Sequence, residues 1–138
     1  MAPFAFPAHW QDFLERHGLH GVSFEIPGSA DVSGLGAELQ LLTLAQAREE
    51  AEDCYPGLAV AADGYVPVGM CLTGSGDPYF IRGGDGAGGP LYRIYHDAVA
   101  WDDAGVARYG ADAVAIVLES YEALPRHRAR ATHDHAGS

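Results

Sequence analysis

Residues 76–96 read GDPYFIRGGDGAGGPLYRIYH, and Gly84-x-Gly86-x-x-Gly89 within them spells a dinucleotide-binding glycine fingerprint. That fingerprint works when a strand leads into the glycines and a helix follows, so that the first amides of the helix meet a pyrophosphate. Tyr79-Phe80-Ile81-Arg82 reads as the strand, but Pro90 and then Leu91-Tyr92-Arg93-Ile94-Tyr95 come after the glycines. The second run is β-branched and aromatic, so the pair reads as a β-hairpin with a long Gly/Asp/Pro loop. No Gly-Lys-Ser/Thr follows, which excludes a P-loop.

The remaining candidates for chemistry also stop short of a reaction. His96 beside Asp97 has the types of a base and its orienter, yet neighbouring strand residues point to opposite faces, and no third group completes a set. His17 and His20 bracket Gly18 where a first helix ends, a place the helix dipole favours for histidine. His133-Asp134-His135 stands in a polar tail that supplies no fixed metal geometry. Ser75, between Gly74 and Gly76, is not a nucleophile elbow, because Gly-x-Ser-x-Gly is absent and no helix follows. Cys54 is crowded by Glu49, Glu50, Glu52 and Asp53, which disfavour a thiolate, and Cys71 sits in an apolar run as a small hydrophobe. Two cysteines make neither a disulfide framework nor a zinc site. The expectation is a non-enzymatic protein with no catalytic residues, no metal and no cofactor.

Elements that would position these residues follow from periodicity. Trp10, Phe13 and Leu14 at i, i+3 and i+4 predict an amphipathic helix over 7–16 with Gly18 as its stop. Val22 to Ile26 alternates as a strand, 27–37 is a small, Gly-rich loop, and 38–42 is a second strand. Thr43 and Gln46 hold capping-box positions for a helix over 44–53. Strands are expected at 58–61, at 65–72 with an edge or bulge signalled by Pro67 and Gly69, at 78–82, 91–96 and 113–117, with 98–101 extended. A closing helix spans 119–124 before Pro125, and 126–138 reads as a disordered polar tail beyond a single domain of residues 1–125.

Of 138 residues, 48% are apolar and 20% charged, ordinary for one globular domain able to bury a core. The charge is less ordinary: 19 acidic against 8 basic residues leave −11, and every basic residue is arginine. Residues 1–125 hold five of those arginines and eighteen of the carboxylates, or −13. Such a body repels nucleic acid and anionic membranes and attracts a basic protein. No apolar run is long enough to span a bilayer, and the first seven residues lack the features of a signal peptide, so a soluble cytoplasmic protein is expected.

Gly64-Tyr65-Val66-Pro67-Val68-Gly69, then Gly76-Asp77 opening an aromatic strand, then Gly89-Pro90-Leu91-Tyr92-Arg93-Ile94-Tyr95-His96-Asp97 resemble motifs of the SUKH superfamily, also called the SMI1/KNR4 family. Glu119-Ser120-Tyr121-Glu122-Ala123-Leu124 is similar to that family's closing helix, and the resemblance covers roughly residues 8–124. It implies an α+β fold, a single domain with a mainly antiparallel sheet of about five to six strands packed by helices. It further implies a non-enzymatic protein, in bacteria chiefly an immunity protein that neutralises a toxin.

Apolar residues occupy both faces of the 78–96 hairpin, so one face is expected to pack on helices and part of the other to expose aromatic surface. Tyrosines rimmed by carboxylates suit a steered protein interface. Tyr79, Tyr92 and Tyr95, with Asp77, Asp85 and Asp97, are therefore the candidate site for a basic partner such as a nuclease-type toxin. The alternatives are a regulatory scaffold without a toxin partner, and a small ligand- or nucleotide-binding protein using the 83–89 loop.

Overall fold

A computed structural model describes residues 5–53, 64–72, 78–95, 99–101, 107–109 and 113–129. The chain runs α1 (Ala8–His17), β1 (Ser23–Ile26), β2 (Ala37–Leu41), α2 (Leu44–Asp53), β3 (Tyr65–Cys71), β4 (Tyr79–Arg82), β5 (Leu91–Ile94), β6 (Val99–Trp101), β7 (Ala107–Tyr109) and β8 (Val114–Leu118), closing in a 3-10 helix, Tyr121–His127. Six strands form one sheet in the order β1-β2-β3-β4-β5-β8, every pair antiparallel, and β6 pairs β7 in a separate two-stranded ribbon. The fold is α+β, as expected.

Local chemistry accounts for the boundaries. Gly18 ends α1 with φ 63°, a left-handed conformation glycine adopts without steric penalty. The capping box forms: Thr43 N donates to Gln46 Oε1 at 2.9 Å, and Gln46 N to Thr43 Oγ1 at 3.2 Å. Pro67 lies in an interior strand rather than at an edge, and the pairing of β3 with β4 shifts register between Pro67 and Gly69. The bulge absorbs the missing N–H.

Trp10, Phe13 and Leu14 of α1 bury against Phe24, Leu39, Tyr79, Ile81, Leu91 and Val117 on the inner sheet face. Tyr121 and Leu124 of the closing helix enter the same core, with the Tyr121 ring edge-on to Trp10 at 5.1 Å and to Phe13 at 4.8 Å. Strand alternation sends Phe80 and Ile94 to the other face, where Tyr65, Tyr92 and Val114 join them in a second cluster.

Both sheet edges receive backbone from elsewhere. Arg128 bridges Phe24, and Ala129 N donates to Ser23 O at 2.9 Å, covering the β1 edge. Val32 N, in the β1–β2 loop, donates to Val117 O of β8 at 2.8 Å. Because β1 and β8 stand at opposite ends of the strand order, that bond requires the sheet to curl until its edges approach. The closing helix, expected to stop before Pro125, runs through it to His127, since Leu124 in the core and the Arg128 bridge hold the chain on both sides. Regular structure thus passes the expected boundary at residue 125; residues 130–138, and the strand expected at 58–61, lie outside the described residues.

Candidate functional site

The glycine-rich loop uses its amides internally. After β4 it makes a 3-10 turn, Gly83–Asp85, and leads into β5 with no helix following. Gly83 N donates to Gly64 O (3.0 Å), Gly86 N to Gly83 O (3.3 Å) and Gly89 N to Gly86 O (3.3 Å), so the three amides do not converge on an anion. Gly89 O in turn accepts from Tyr121 N at 2.8 Å, and His9 Nδ1 lies 2.8 Å from the Tyr121 hydroxyl. Gly86 and Gly88 hold φ of 75° and 78°, and a Cβ at Gly89 would stand 2.6 Å from that of Asp85. These glycines serve a tight turn docked on α1 and the closing helix.

The six residues expected to form a partner site divide. Tyr79 is fully buried on the inner face, because β4 alternation turns Tyr79 and Ile81 toward the helices. It leaves the proposed surface. Arg93 stands opposite it in register and donates from Nη2 to the Tyr79 hydroxyl at 2.6 Å and to Gly36 O at 2.9 Å, its guanidinium 5.2 Å from the ring centre. Burial pushes the Tyr79 hydroxyl pKa above its ordinary value, against the lowering effect of Arg93. Tyr92 faces the other way and is half-buried, its hydroxyl donating to Asp85 Oδ2 at 2.9 Å. Burial first, and the Asp85 carboxylate second, push its pKa up to about 12. The Tyr65 ring meets Tyr92 edge-on at 5.3 Å, with the Arg82 guanidinium 5.1 Å from the Tyr65 centroid. Phe80 and Ile94 between them are fully buried, so this face holds a second small core where an open aromatic surface was expected. Tyr95 is half-buried and donates its N–H to Ala113 O at 2.9 Å. Asp77 and Asp97 lie outside the described residues, as do Cys54, Ser75, His96 and the 133–135 cluster.

A different constellation gathers where β1 turns into β2. Glu25 and Glu38 are exposed partners directly opposite in the antiparallel register. Neither has a cation within ion-pair reach among the described residues, whose ion pair is Arg16 with Asp12. They rim a groove of about 780 Å³ that Ile26, Pro27, Leu35, Gly36, Ala37 and Arg93 also line. Leu35 is 64% exposed and Val32, in the same loop, 57%. Arg93 is 7% exposed, and its Nε has no hydrogen-bond partner among the described residues. Asp31 is buried in that loop as well; its Oδ1 accepts from Ser33 N and Oγ at 2.7 and 2.6 Å, while Oδ2 is unpaired among the described residues.

Sequence reading missed this group for identifiable reasons. Alternation alone places Glu25 and Glu38 outward on their strands, but the pairing register across a ten-residue loop is a tertiary property. Arg93 carried a signal, a lone charge inside Leu91–Ile94, the sort of residue that enters an apolar strand only with partners.

Among the described residues no helix is long and apolar enough to cross a membrane. No family model, no curated protein and no solved structure matches the chain.

Proposed function

We propose that this chain is a non-enzymatic protein-binding domain that neutralises a basic toxin by direct contact, in the manner of the bacterial immunity proteins its motifs resemble. The observation that carries the reading is the Glu25–Glu38 couple, without an ion-pair partner among the described residues, in one groove with exposed Leu35. Like charges set directly opposite on a strand pair are unfavourable in the free protein, and a partner's cation between them turns repulsion into attraction. Exposed Leu35 beside the charges supplies apolar area that can be dehydrated on contact. A net charge of −11 steers a basic partner toward the molecule from a distance, an effect that salt weakens. Asp85 and half-buried Tyr92 lie on the outer face and form a secondary contact region.

A rescue experiment tests the proposal. The product of the neighbouring gene is expressed alone and then with this chain, and surviving cells are counted. Killing alone and survival together is the expected result. Toxicity that this chain does not relieve, or a neighbour without toxicity, overturns the immunity reading in favour of a regulatory scaffold.

A further inference from the structure

A pocket of about 400 Å³ opens where α1, the turn that follows it and the start of α2 come together. Buried Phe6, Leu14 and Leu42 give it an apolar lining, and Leu44, 43% exposed, lines its outer part. Its walls are fixed before anything arrives: Gln11 Nε2 donates to Phe6 O at 2.8 Å, Gln40 Nε2 donates to Gly21 O at 3.2 Å, and the Thr43–Gln46 capping box holds the third side. Those bonds also commit the Gln11 amide and the Thr43 hydroxyl. The polar groups left over are the exposed imidazole of His20 and the exposed carboxylate of Glu15, which has no ion-pair partner among the described residues. Arg16, next to Glu15 in the chain, is spent on Asp12 at 2.8 Å.

This combination selects what can enter. An anion is repelled by Glu15 on a chain of net charge −11, and a wholly polar molecule gains nothing from covering three apolar side chains. A body of aromatic or aliphatic carbon with a cation beside it satisfies both parts. In protein interfaces such preformed apolar pockets seat the anchor side chains that carry most of the binding energy. Gly21, on the pocket wall, stands four residues before Glu25, at most about 14 Å of extended chain, so one interface of standard size reaches both the pocket and the acidic couple.

Resting on the protein-binding reading above, we infer that this pocket takes an aromatic or long aliphatic side chain of the basic partner, with a neighbouring cationic group of that partner against Glu15.

The test uses 3-phenylpropylammonium as a probe and 3-phenylpropanoate as its counterpart of opposite charge. Each is titrated at low salt into the isotopically labelled full chain and followed by NMR. Expected are saturable shifts confined to the side chains of Phe6, Leu14, Leu42 and Leu44, with affinity at least about five-fold weaker for the carboxylate and about three-fold weaker for the ammonium on Glu15→Gln. Glu15 is exposed and without an ion-pair partner among the described residues, so Glu15→Gln should leave the thermal midpoint where it is, which separates lost binding from unfolding. Equal affinity for the two probes, shifts centred on Ile94 and Val114, or no saturable shift up to about 10 mM probe would overturn the inference. A Phe4→Ala variant that bound the ammonium ten-fold tighter would overturn it too, by making the pocket a seat for the chain's own side chain. The two readings fail separately: a Glu15→Gln/Leu44→Ser variant that has lost the probe and still rescues cells refutes the anchor pocket and spares the immunity proposal, whereas probe binding without rescue does the reverse.

Discussion

Replacing Tyr79 by phenylalanine deletes one oxygen and leaves the ring in place, so it isolates what the buried hydroxyl does. That oxygen accepts from Arg93 Nη2 at 2.6 Å in a site where both residues are buried. Without it Nη2 keeps Gly36 O at 2.9 Å, and the guanidinium keeps its place over the ring, but a second donor joins Nε without a partner. Hydrogen bonds to charged groups contribute about 1.5–3 kcal/mol, so Tyr79→Phe should destabilise the fold by about 2 kcal/mol. For 138 residues the unfolding entropy is about 0.3 kcal/mol per kelvin, which places the fall in Tm near 7 °C, by the order-of-magnitude scaling of small domains. Urea unfolding of the parent, Tyr79→Phe, Arg93→Met and the double variant measures the loss, and the cycle should return a coupling of about 1–2 kcal/mol. An unchanged urea midpoint would refute the buried bond, and unchanged stability with weakened partner binding would return Tyr79 to the surface.

Gly69→Ala brings a Cβ to 2.8 Å from Leu39 Cδ1 and 3.3 Å from Tyr79 Cβ; the leucine tip can move but the tyrosine Cβ cannot, so a loss of about 1–3 kcal/mol in urea unfolding is expected. Thr43→Ala removes one arm of the capping box and should lower stability by about 1 kcal/mol, with faster amide exchange in the first turn of α2. Tyr92 ionises near pH 12 when folded against 10.0 for its ordinary value. Below pH 10 it is neutral in both states and contributes no pH dependence; between 10 and about 12 only the unfolded chain has released the proton, so stability falls as pH rises. Removing the neighbouring charge with Asp85→Asn should lower the Tyr92 midpoint in an absorbance titration, and an unaltered midpoint would refute the contribution of that carboxylate.

Much of the fold is legible in local pattern. The 3.6-residue spacing of Trp10, Phe13 and Leu14, the Thr43–Gln46 cap and the break at Gly18 are decided within a few residues of each other, and α1 and α2 stand where they were read. The hairpin of β4 with β5 was equally plain, since two apolar runs flank a loop of turn residues. The ribbon strand Ala107–Tyr109 and the passage of the closing helix through Pro125 were not, because each is held by contacts that local propensity does not encode. Of the six residues first assigned to a partner site, Asp85 and Tyr92 meet each other, and Tyr79 belongs to the core.

By itself the chain's sequence determined the acidic character, the helices, the strand alternation and the failure of the glycine motif as a phosphate cradle. All of these depend on composition or on neighbours close along the chain. Tertiary structure alone decided which sheet face the helices cover, and with it the burial of Tyr79; it also set the register that puts Glu25 opposite Glu38 and the curl that carries the β1–β2 loop to β8. A one-residue slip in pairing reverses every side chain's face without changing a single local preference, so the groove exists only once the sheet has chosen its register.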